Sequence, residues 1–365
     1  MLLLLGCAEA GTPAPPVEAP DWPLGDPAEA GFDVEALDQL TQDILAGEYP
    51  NTHAVLVEYD GALVYENYFS GTDERWGEPL PPRALGPDSL HDLRSISKSV
   101  TSALLGIALA DSFAAALARP VADYLPGLDV DASHRGITLH HVLTMTAGLE
   151  WNEMDVPYTD STNDELRLYE ASDPAAEVLD RPLVSPPGDA WYYSGGTTQV
   201  LATVISAMTG QTLDDFARDH LFAPLGITDF EWLGPGGWIP DNPAAMSGLR
   251  LTARDLAKIG SVYLHGGRWR GTQIVPAEWV ARSSERHVPE IGDWSSGGLW
   301  GYGYQWWIGD WPAGQRVIAG VGNGNQRLFV VPSERLVVTV FAGQYNAFAP
   351  HSEAILDRVL SARRE

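Results

Sequence analysis

His91-Asp92-Leu93-Arg94-Ser95-Ile96-Ser97-Lys98-Ser99-Val100-Thr101, continued by Ser102-Ala103-Leu104-Leu105-Gly106-Ile107-Ala108-Leu109, reads as a helix with a serine at its first turn. Ile96, Val100, Leu104 and Ile107 recur at helical spacing and predict one buried face. Ser95 and Lys98 lie three residues apart and so are neighbours on the helix surface. A serine beside a lysine in a buried site is a nucleophile beside a base. Composition adds weight, because Lys98 and Lys258 are the chain's two lysines and arginine supplies every other positive side chain. Arginine keeps its proton, whereas a buried lysine can be neutral. The plainer reading is an amphipathic helix start, with Ser95 as a cap and Lys98 in solvent. S-x-x-K is frequent by chance, so the rest of the chain has to decide.

Two further stretches offer partners. Pro187-Gly188-Asp189-Ala190-Trp191-Tyr192-Tyr193-Ser194-Gly195-Gly196 lies between helical segments. Its two glycines after Tyr193-Ser194 predict a tight backbone at a cavity rim. A tyrosine beside a lysine ammonium has its phenolate favoured and would exchange protons near neutral pH. Alone, the stretch is equally a tyrosine packed under a Pro-Gly turn. Ala319-Gly320-Val321-Gly322-Asn323-Gly324-Asn325-Gln326 precedes a strand, and glycines at a strand edge let another backbone come close. Alone, it is a glycine-rich turn.

The 365 residues fit one large fold with two lobes, and thirteen tryptophans in a chain that is 45% apolar are ample for its core. A formal charge of −27 argues against nucleic acid and against an anionic membrane surface as partners. Cys7 is the sole cysteine, which excludes an intramolecular disulfide, a thiol zinc site and a cysteine nucleophile in the folded region. Met1-Leu2-Leu3-Leu4-Leu5-Gly6-Cys7-Ala8 resembles the end of a bacterial lipoprotein signal, cut before a cysteine that is then lipidated. Its apolar stretch is short and lacks a positive flank, so either translation starts upstream or the match is accidental. The Pro- and Ala-rich segment from Gly11 to Pro23 fits a tether. The expectation is an exported protein, periplasmic or membrane-anchored through Cys7, and otherwise cytoplasmic. No stretch is long enough for a transmembrane helix.

Along the chain, Asp33 to Ala46 reads as an amphipathic helix with Asp33 as N-cap and Val34, Leu37, Leu40, Ile44 and Leu45 on its apolar face. His53 to Tyr68 reads as a hairpin turning at Asp60-Gly61, and Ser70 to Ser89 as a polar, Pro-rich loop. A helical middle follows, through Ile137–Met145, Thr198–Met208, Leu213–Leu221 and Thr252–Leu264. Tyr304–Ile308, Gln315–Ile318, Gln326–Val331 and Arg335–Phe341 read as strands, and His351–Arg363 as a closing helix. The plan is α+β: a mostly antiparallel sheet shared by both ends of the chain and flanked by helices, with a helical lobe inserted. Residues 1–23 form the signal remnant and linker, and 24–365 the folded domain. Within it the sheet lobe takes about 30–115 and 295–365, and the helical lobe about 116–294.

In this order and context the three stretches resemble the serine hydrolases of the penicillin-recognising family, in which class C beta-lactamases and related esterases share S-x-x-K, a tyrosine motif and a strand-edge glycine motif. The likeness runs from about residue 31 to 363. It includes Pro120-Val-Ala-Asp-Tyr-Leu-Pro126, Ile137-Thr-Leu-His-His-Val-Leu-Thr-Met-Thr-Ala-Gly-Leu149 and Phe222-Ala-Pro-Leu-Gly-Ile227. The resemblance implies a beta-lactamase/transpeptidase-like fold, Ser95 as nucleophile, Lys98 as the neighbouring base and Tyr193 as the proton shuttle. Gly320-Val321-Gly322 matches the position of Lys-Thr-Gly or His-x-Gly. The backbone N–H groups of Ser95 and Asn323 then form the oxyanion hole, a device that contributes about 3 kcal/mol to a transition state.

Two positions depart from the beta-lactamases. Gly195 stands where they carry asparagine, and Gly320 stands where they carry lysine, so an amide and a carboxylate-binding cation are both missing. This favours an esterase or amidase. A closer resemblance is to the nylon-oligomer (6-aminohexanoate-dimer) hydrolases and their esterase relatives, with Val156-Pro157-Tyr158-Thr159-Asp160 like their loop and Tyr158 as a contact to the leaving group. A surface-loop tyrosine is the equal alternative.

Other candidates carry less. His140-His141 sits in a helical segment, and His220 and His265 read as helix-surface or packing residues. No cluster of histidines and carboxylates stands at metal-ligand spacing, so no metal and no cofactor is expected. Trp191, Trp306 and Trp307 could line an acyl pocket but rank first as core. The sequence therefore predicts hydrolysis of a small ester or amide through acyl-Ser95. The rivals are a beta-lactamase or D-alanyl-D-alanine carboxypeptidase, and a non-catalytic binding or sensor protein.

Overall fold

The computed structural model describes residues 22–110, 112–234, 238, 240–291, 299–347 and 350–364. Cys7, the expected lipid site, and the tether as far as residue 21 lie outside the described residues. One seven-stranded sheet joins the two ends of the chain. Its order is β10 (Trp300–Tyr302), β11 (Trp307–Asp310), β12 (Arg316–Gly322), β13 (Gln326–Val331), β14 (Leu336–Ala342), β1 (Thr52–Tyr59) and β2 (Ala62–Tyr68). Every pairing is antiparallel. The β1–β2 turn falls at Asp60 and Gly61, both at positive φ (52° and 92°), as a two-residue hairpin requires. β10 at the sheet edge is a strand the sequence pattern does not mark.

Period-two alternation in the central strands feeds two cores. Ala54 and Leu56 of β1, with Val337 and Phe341 of β14, face one side. Val55 and Val57, with Leu336, Val338 and Val340, face the other. On the second side lie α1 (Val34–Leu45), capped by Asp33, and α11 (His351–Ser361), which bury Leu37, Leu40, Ile44, Ile355, Leu356 and Val359. Val34 and Leu45, expected on the apolar face of α1, are exposed instead.

The first side is covered by α2 (Ile96–Leu109) and α9 (Ala253–Leu264). α9 belongs to the stretch expected in the helical lobe, yet it packs on β1, β13 and β14. Gly260 permits this: a Cβ there would stand 2.5 Å from Val337 Cγ1. α2 is buried from Ile96 to Gly106, not on one face alone, because the sheet lies on one side of it and α7 (Gly195–Thr209) on another. Several of its polar side chains are satisfied internally, whereas Ser102 Oγ is buried without a partner among the described residues. Ser97 Oγ donates to the Arg94 carbonyl, and Ser99 Oγ to the Gln305 carbonyl, both at 2.7 Å.

The remaining helices are short: α3 (Phe113–Ala118), α4 (Leu139–Leu143), α5 (Asp164–Leu168), α6 (Pro174–Leu179), α8 (Leu213–Ala217) and α10 (Ala277–Ser283). The expected Ile137–Met145 helix shrinks to α4, capped by Thr138 and ended where Met145 turns to φ 59°. The expected 70–89 loop instead contains a hairpin, β3 (Gly71–Arg75) and β4 (Glu78–Arg83). Prolines in β4 hide it in the sequence, since proline is tolerated only at strand edges. Buried Asp73 anchors it through Arg83 and Tyr345. A small sheet of β5 (His91–Asp92), β7 (Leu249–Leu251) and β6 (Glu231–Trp232) leads into the turn before Ser95, and β8 (Arg268–Trp269) pairs with β9 (Thr272–Gln273).

Candidate active site

β5 pairs with β7, and the Leu93 N–H continues the ladder to the Leu249 carbonyl at 2.9 Å. Arg94 then takes a left-handed conformation (φ 49°), which turns the chain abruptly into α2. Ser95 is left at the N-cap, half-buried, and Lys98 lies one turn further in, fully buried. The solvent-exposed lysine of the plainer sequence reading is thereby excluded. Lys98 Nζ donates to Ser95 Oγ at 3.0 Å and to the Met246 carbonyl at 2.9 Å.

Tyr193 immediately precedes Ser194, the N-cap of α7, whose Oγ accepts from the Thr197 N–H at 3.2 Å. Its phenol is near enough to Ser95 for that hydroxyl to favour the phenolate, and Lys98 Nζ lies 5.0 Å from its ring centroid. Ser95, Lys98 and Tyr193 are thus one contact group. The expectation of a favoured Tyr193 phenolate fails. Burial and the nearby Glu153 and Glu165 carboxylates push its phenol well above the usual range, and the neighbouring Ser95 hydroxyl offsets only part of that.

Those two glutamates are what the sequence reading missed. Glu153 Oε2 accepts from the Gly195 N–H at 2.6 Å and from Trp151 Nε1 at 2.8 Å, and Oε1 accepts from the Tyr158 hydroxyl at 2.8 Å. Glu165, on α5, accepts from Ser247 Oγ at 2.8 Å through Oε1. Lys98 Nζ lies 3.8 Å from Glu153 Oε1 and 3.5 Å from Glu165 Oε2. Burial, with Glu165 beside it, raises the Glu153 carboxyl to about 7 against the pull of Lys98. Forty-nine acidic residues spread along the chain conceal the two that converge here. Their one local signal is nearness to Tyr158.

Gly195 and Tyr158 both enter the site through Glu153. A Cβ at Gly195 would stand 2.8 Å from Glu165 Oε2 and 3.2 Å from Glu153 Oε2, so the carboxylates fill the space of a side chain at that position. β12 passes the same helix start. A Cβ at Gly320 would meet Ile96 Cγ2 at 3.1 Å, and one at Gly322 would overlap the Leu93 carbonyl oxygen. Val321 between them is half-buried. Asn323 pairs its side chain with Asn346: Nδ2 donates to Asn346 Oδ1 at 2.9 Å, and Oδ1 accepts from the Asn346 N–H at 2.7 Å. That reciprocal pair fixes the turn where its own main-chain N–H begins.

Trp307 packs on Tyr193 at 5.8 Å and on Trp191 at 6.0 Å, so these two tryptophans back the site. Trp306 is core, donating to the Tyr263 hydroxyl at 3.0 Å. His140 bonds the Tyr304 hydroxyl, His141 closes the α4 cap, and His220 packs on Phe216. The proximity of His265 to Glu58, 3.4 Å away, raises its imidazole above the usual value.

The fold does assemble a histidine–carboxylate cluster that the spacing conceals. His53 Nδ1 lies 2.8 Å from His91 Nε2, which lies 3.2 Å from Asp73 Oδ1. Burial lowers the imidazoles to about 4 and about 3, leaving both neutral. Asp73 is occupied by Arg83, by Tyr345 and by the Glu74 N–H. The cluster is a clamp joining β3, β1 and β5.

Residues 37–360 match the family model described as Beta-lactamase. The chain belongs to the beta-lactamase family. It is 28% identical over 270 residues to a 6-aminohexanoate-dimer hydrolase of Paenarthrobacter ureafaciens, covering 69% of this chain and 66% of that protein. It is 28% identical over 183 residues to esterase EstB of Burkholderia gladioli, covering 48% and 45%. The chain thus spans less than two thirds of the length of these relatives. The fold matches a family VIII carboxylesterase structure with TM-score 0.68 at 16% identity, over 94% of this chain and 98% of that one. A penicillin-binding protein homologue from Caulobacter crescentus matches with TM-score 0.69 at 17% identity, over 93% and 98%. These two likenesses bear on the fold alone. Within the beta-lactamase family, Gly195 and Gly320 are accommodated here by close neighbours: two carboxylates at the first, the α2 start at the second.

Proposed function

We propose that the protein is a serine hydrolase that cleaves small carboxylic esters or amides through an acyl-Ser95 intermediate. The observation that carries this reading is the half-buried Ser95 hydroxyl accepting from Lys98 Nζ at 3.0 Å, with the Tyr193 phenol beside both. Lys98, as the amine, takes the proton as Ser95 Oγ bonds to the substrate carbonyl carbon. The main-chain N–H groups of Ser95 and Asn323 receive the oxyanion. A neutral Tyr193 suits the donor role: it protonates the departing oxygen or nitrogen and is reprotonated from Lys98. Water then releases the acid and frees Ser95.

Two relatives' names, a 6-aminohexanoate-dimer hydrolase and an esterase, support this substrate class, and others, a penicillin-binding protein and a D-alanyl-D-alanine carboxypeptidase, support the peptidase alternative. The space at Gly195 and the glycine at 320 provide neither the amide nor the cation expected for a lactam carboxylate. Tyr158, bonded to Glu153, is the substrate-facing candidate on the loop. Hydrolysis of p-nitrophenyl butyrate, lost in Ser95→Ala, tests the reading. A folded Ser95→Ala protein that kept the rate would refute it. The Leu-rich start ending at Cys7 supports export as a lipoprotein, and incorporation of labelled palmitate that disappears in Cys7→Ser tests that.

A further inference from the structure

Lys98 can act as a base only as the amine, yet two carboxylates stand beside it, and one ordinary carboxylate suffices to hold an ammonium. The hydrogen bonding of the pair addresses this. Glu153 accepts from three donors: Trp151, Gly195 and Tyr158. Glu165 Oε2 is buried and accepts no hydrogen bond among the described residues, Lys98 Nζ standing off at 3.5 Å. The two carboxyls converge: Lys98 Nζ lies 3.8 Å from Glu153 Oε1 and 3.5 Å from Glu165 Oε2, and both Oε2 atoms crowd the Cβ position of Gly195, at 3.2 and 2.8 Å. Two ionised carboxylates in such contact repel, whereas one proton between them makes a hydrogen bond and gives the orphan oxygen a partner.

We propose that Glu153 and Glu165 form a proton-sharing carboxyl pair that sets the charge on Lys98, acting as positioning residues for the Ser95 reaction. The proposal rests on the serine-hydrolase reading and deepens it. With three protons on Nζ and one between the carboxyls, the group of three is neutral. Moving one proton from Lys98 Nζ to Glu165 Oε2, 3.5 Å away, gives an amine and two carboxylic acids, again neutral. The base thereby forms without exchange with solvent, and burial narrows the gap between the two states by penalising the ion pair. Loss of the shared proton leaves two carboxylates, which fix Lys98 as the ammonium and stop the reaction.

The other groups facing the pair are named readily. Tyr193 and Tyr302 stand on the sheet side, Tyr158 on the loop, and Tyr169 behind Ser247. Burial raises all four phenols, so each stays protonated through neutral pH. Asp164, adjacent in sequence, is neutralised by Arg181 and Arg167. Arg94 acts on Tyr169 but is itself paired with Glu74 and Asp92.

The test combines two measurements on the full chain. The first is the rate at which a p-nitrophenyl phosphonate labels Ser95, followed against pH in wild type and Glu165→Gln. Wild-type labelling should fall about tenfold for each pH unit above neutrality, and the fall should vanish in Glu165→Gln, where the amide still donates to Glu153. The second is the infrared band of a protonated carboxyl that titrates near neutral pH. It should be present in wild type and Ser95→Ala and absent in Glu165→Gln. An unchanged alkaline fall in Glu165→Gln, or a wild type without the band, overturns the proposal. A phosphonate that fails to label wild type refutes the Ser95 reading instead, and the band still decides the proton. The infrared titration of wild type needs no variant, so a Glu165→Gln chain that fails to fold leaves the pair testable.

Discussion

The chain's two lysines occupy matching positions and do different things. Each lies three residues after a polar side chain near the start of a buried helix, Ser95 before Lys98 on α2 and Asp255 before Lys258 on α9, and each is almost completely buried. Lys258 Nζ donates directly to Asp255 Oδ1 at 2.9 Å. Lys98 spends its closest contacts on a hydroxyl and a carbonyl, and its carboxylates stand off at 3.5 and 3.8 Å. A carboxylate in contact fixes the charge. Carboxylates held back, and paired with each other, leave the charge adjustable. One spacing thus gives a structural ion pair in one place and a site for proton transfer in the other.

Replacing each lysine by methionine should separate the two. Lys98→Met should reduce ester turnover by on the order of 10³-fold or more, since it removes the group that takes the Ser95 proton. Its stability should change little, because the carboxyl pair can take up a second proton when the cation is gone. Lys258→Met should act the other way. It leaves Asp255 buried without its contact partner, a loss of about 3–5 kcal/mol, with kcat per folded molecule unchanged. Denaturant titration and active-site-normalised kinetics read both. Equal stability losses would mean that Lys98 is an ordinary buried ion pair.

The next test fills the site. Gly195→Asn restores the side chain that beta-lactamases carry, but here it meets Glu165, Glu153 and Met246. Overpacking of this kind costs about 1–3 kcal/mol, and turnover should drop without any gain in cephalosporin hydrolysis. Gain of lactam turnover in Gly195→Asn would show that the carboxylates move aside freely.

These positions also mark what the sequence could and could not disclose. Ser95, Lys98 and Tyr193 were legible because helical spacing and residue type are local, and the sheet was legible because the runs of β-branched and other apolar residues in β1, β13 and β14 are local too. Glu153 and Glu165 were not. Their one neighbour of note in sequence is Tyr158, and each lies far along the chain from the Lys98 that it approaches in the fold. The hairpin after Ser70 was hidden by its prolines, and the His53–Asp73–His91 clamp by the three strands that bring it together. Tyr193 was found, but its charge state was misjudged, because the cation was visible in sequence and the two opposing carboxylates were not.

A smaller effect follows from pH. The Glu153 carboxyl is raised from the usual 4.5 to about 7, so the folded state binds its proton more tightly than the unfolded chain does. That contribution to stability is complete below pH about 4.5 and is lost as pH rises through about 7. The melting temperature should therefore decline over this window. Glu165→Gln, which removes the repelling neighbour, should flatten the decline, whereas Lys258→Met should leave its shape unaltered. A parallel decline in Glu165→Gln would assign the proton to some other group.

The smallest change tests how the loop holds the pair. Tyr158→Phe removes the hydroxyl that donates to Glu153 Oε1 and leaves the ring in place. A hydrogen bond to a charged group is worth about 1.5–3 kcal/mol when the acceptor is ionised, and less when the acceptor shares a proton. If Tyr158 serves the pair alone, kcat should fall modestly with KM unchanged, and the alkaline limb of the pH profile should move to higher pH, because the doubly ionised pair loses a donor. If it meets the leaving group, kcat should fall for esters and amides by different factors while the limb stays where it is. The two outcomes separate a tyrosine that stabilises negative charge behind Lys98 from one that recognises substrate in front of Ser95.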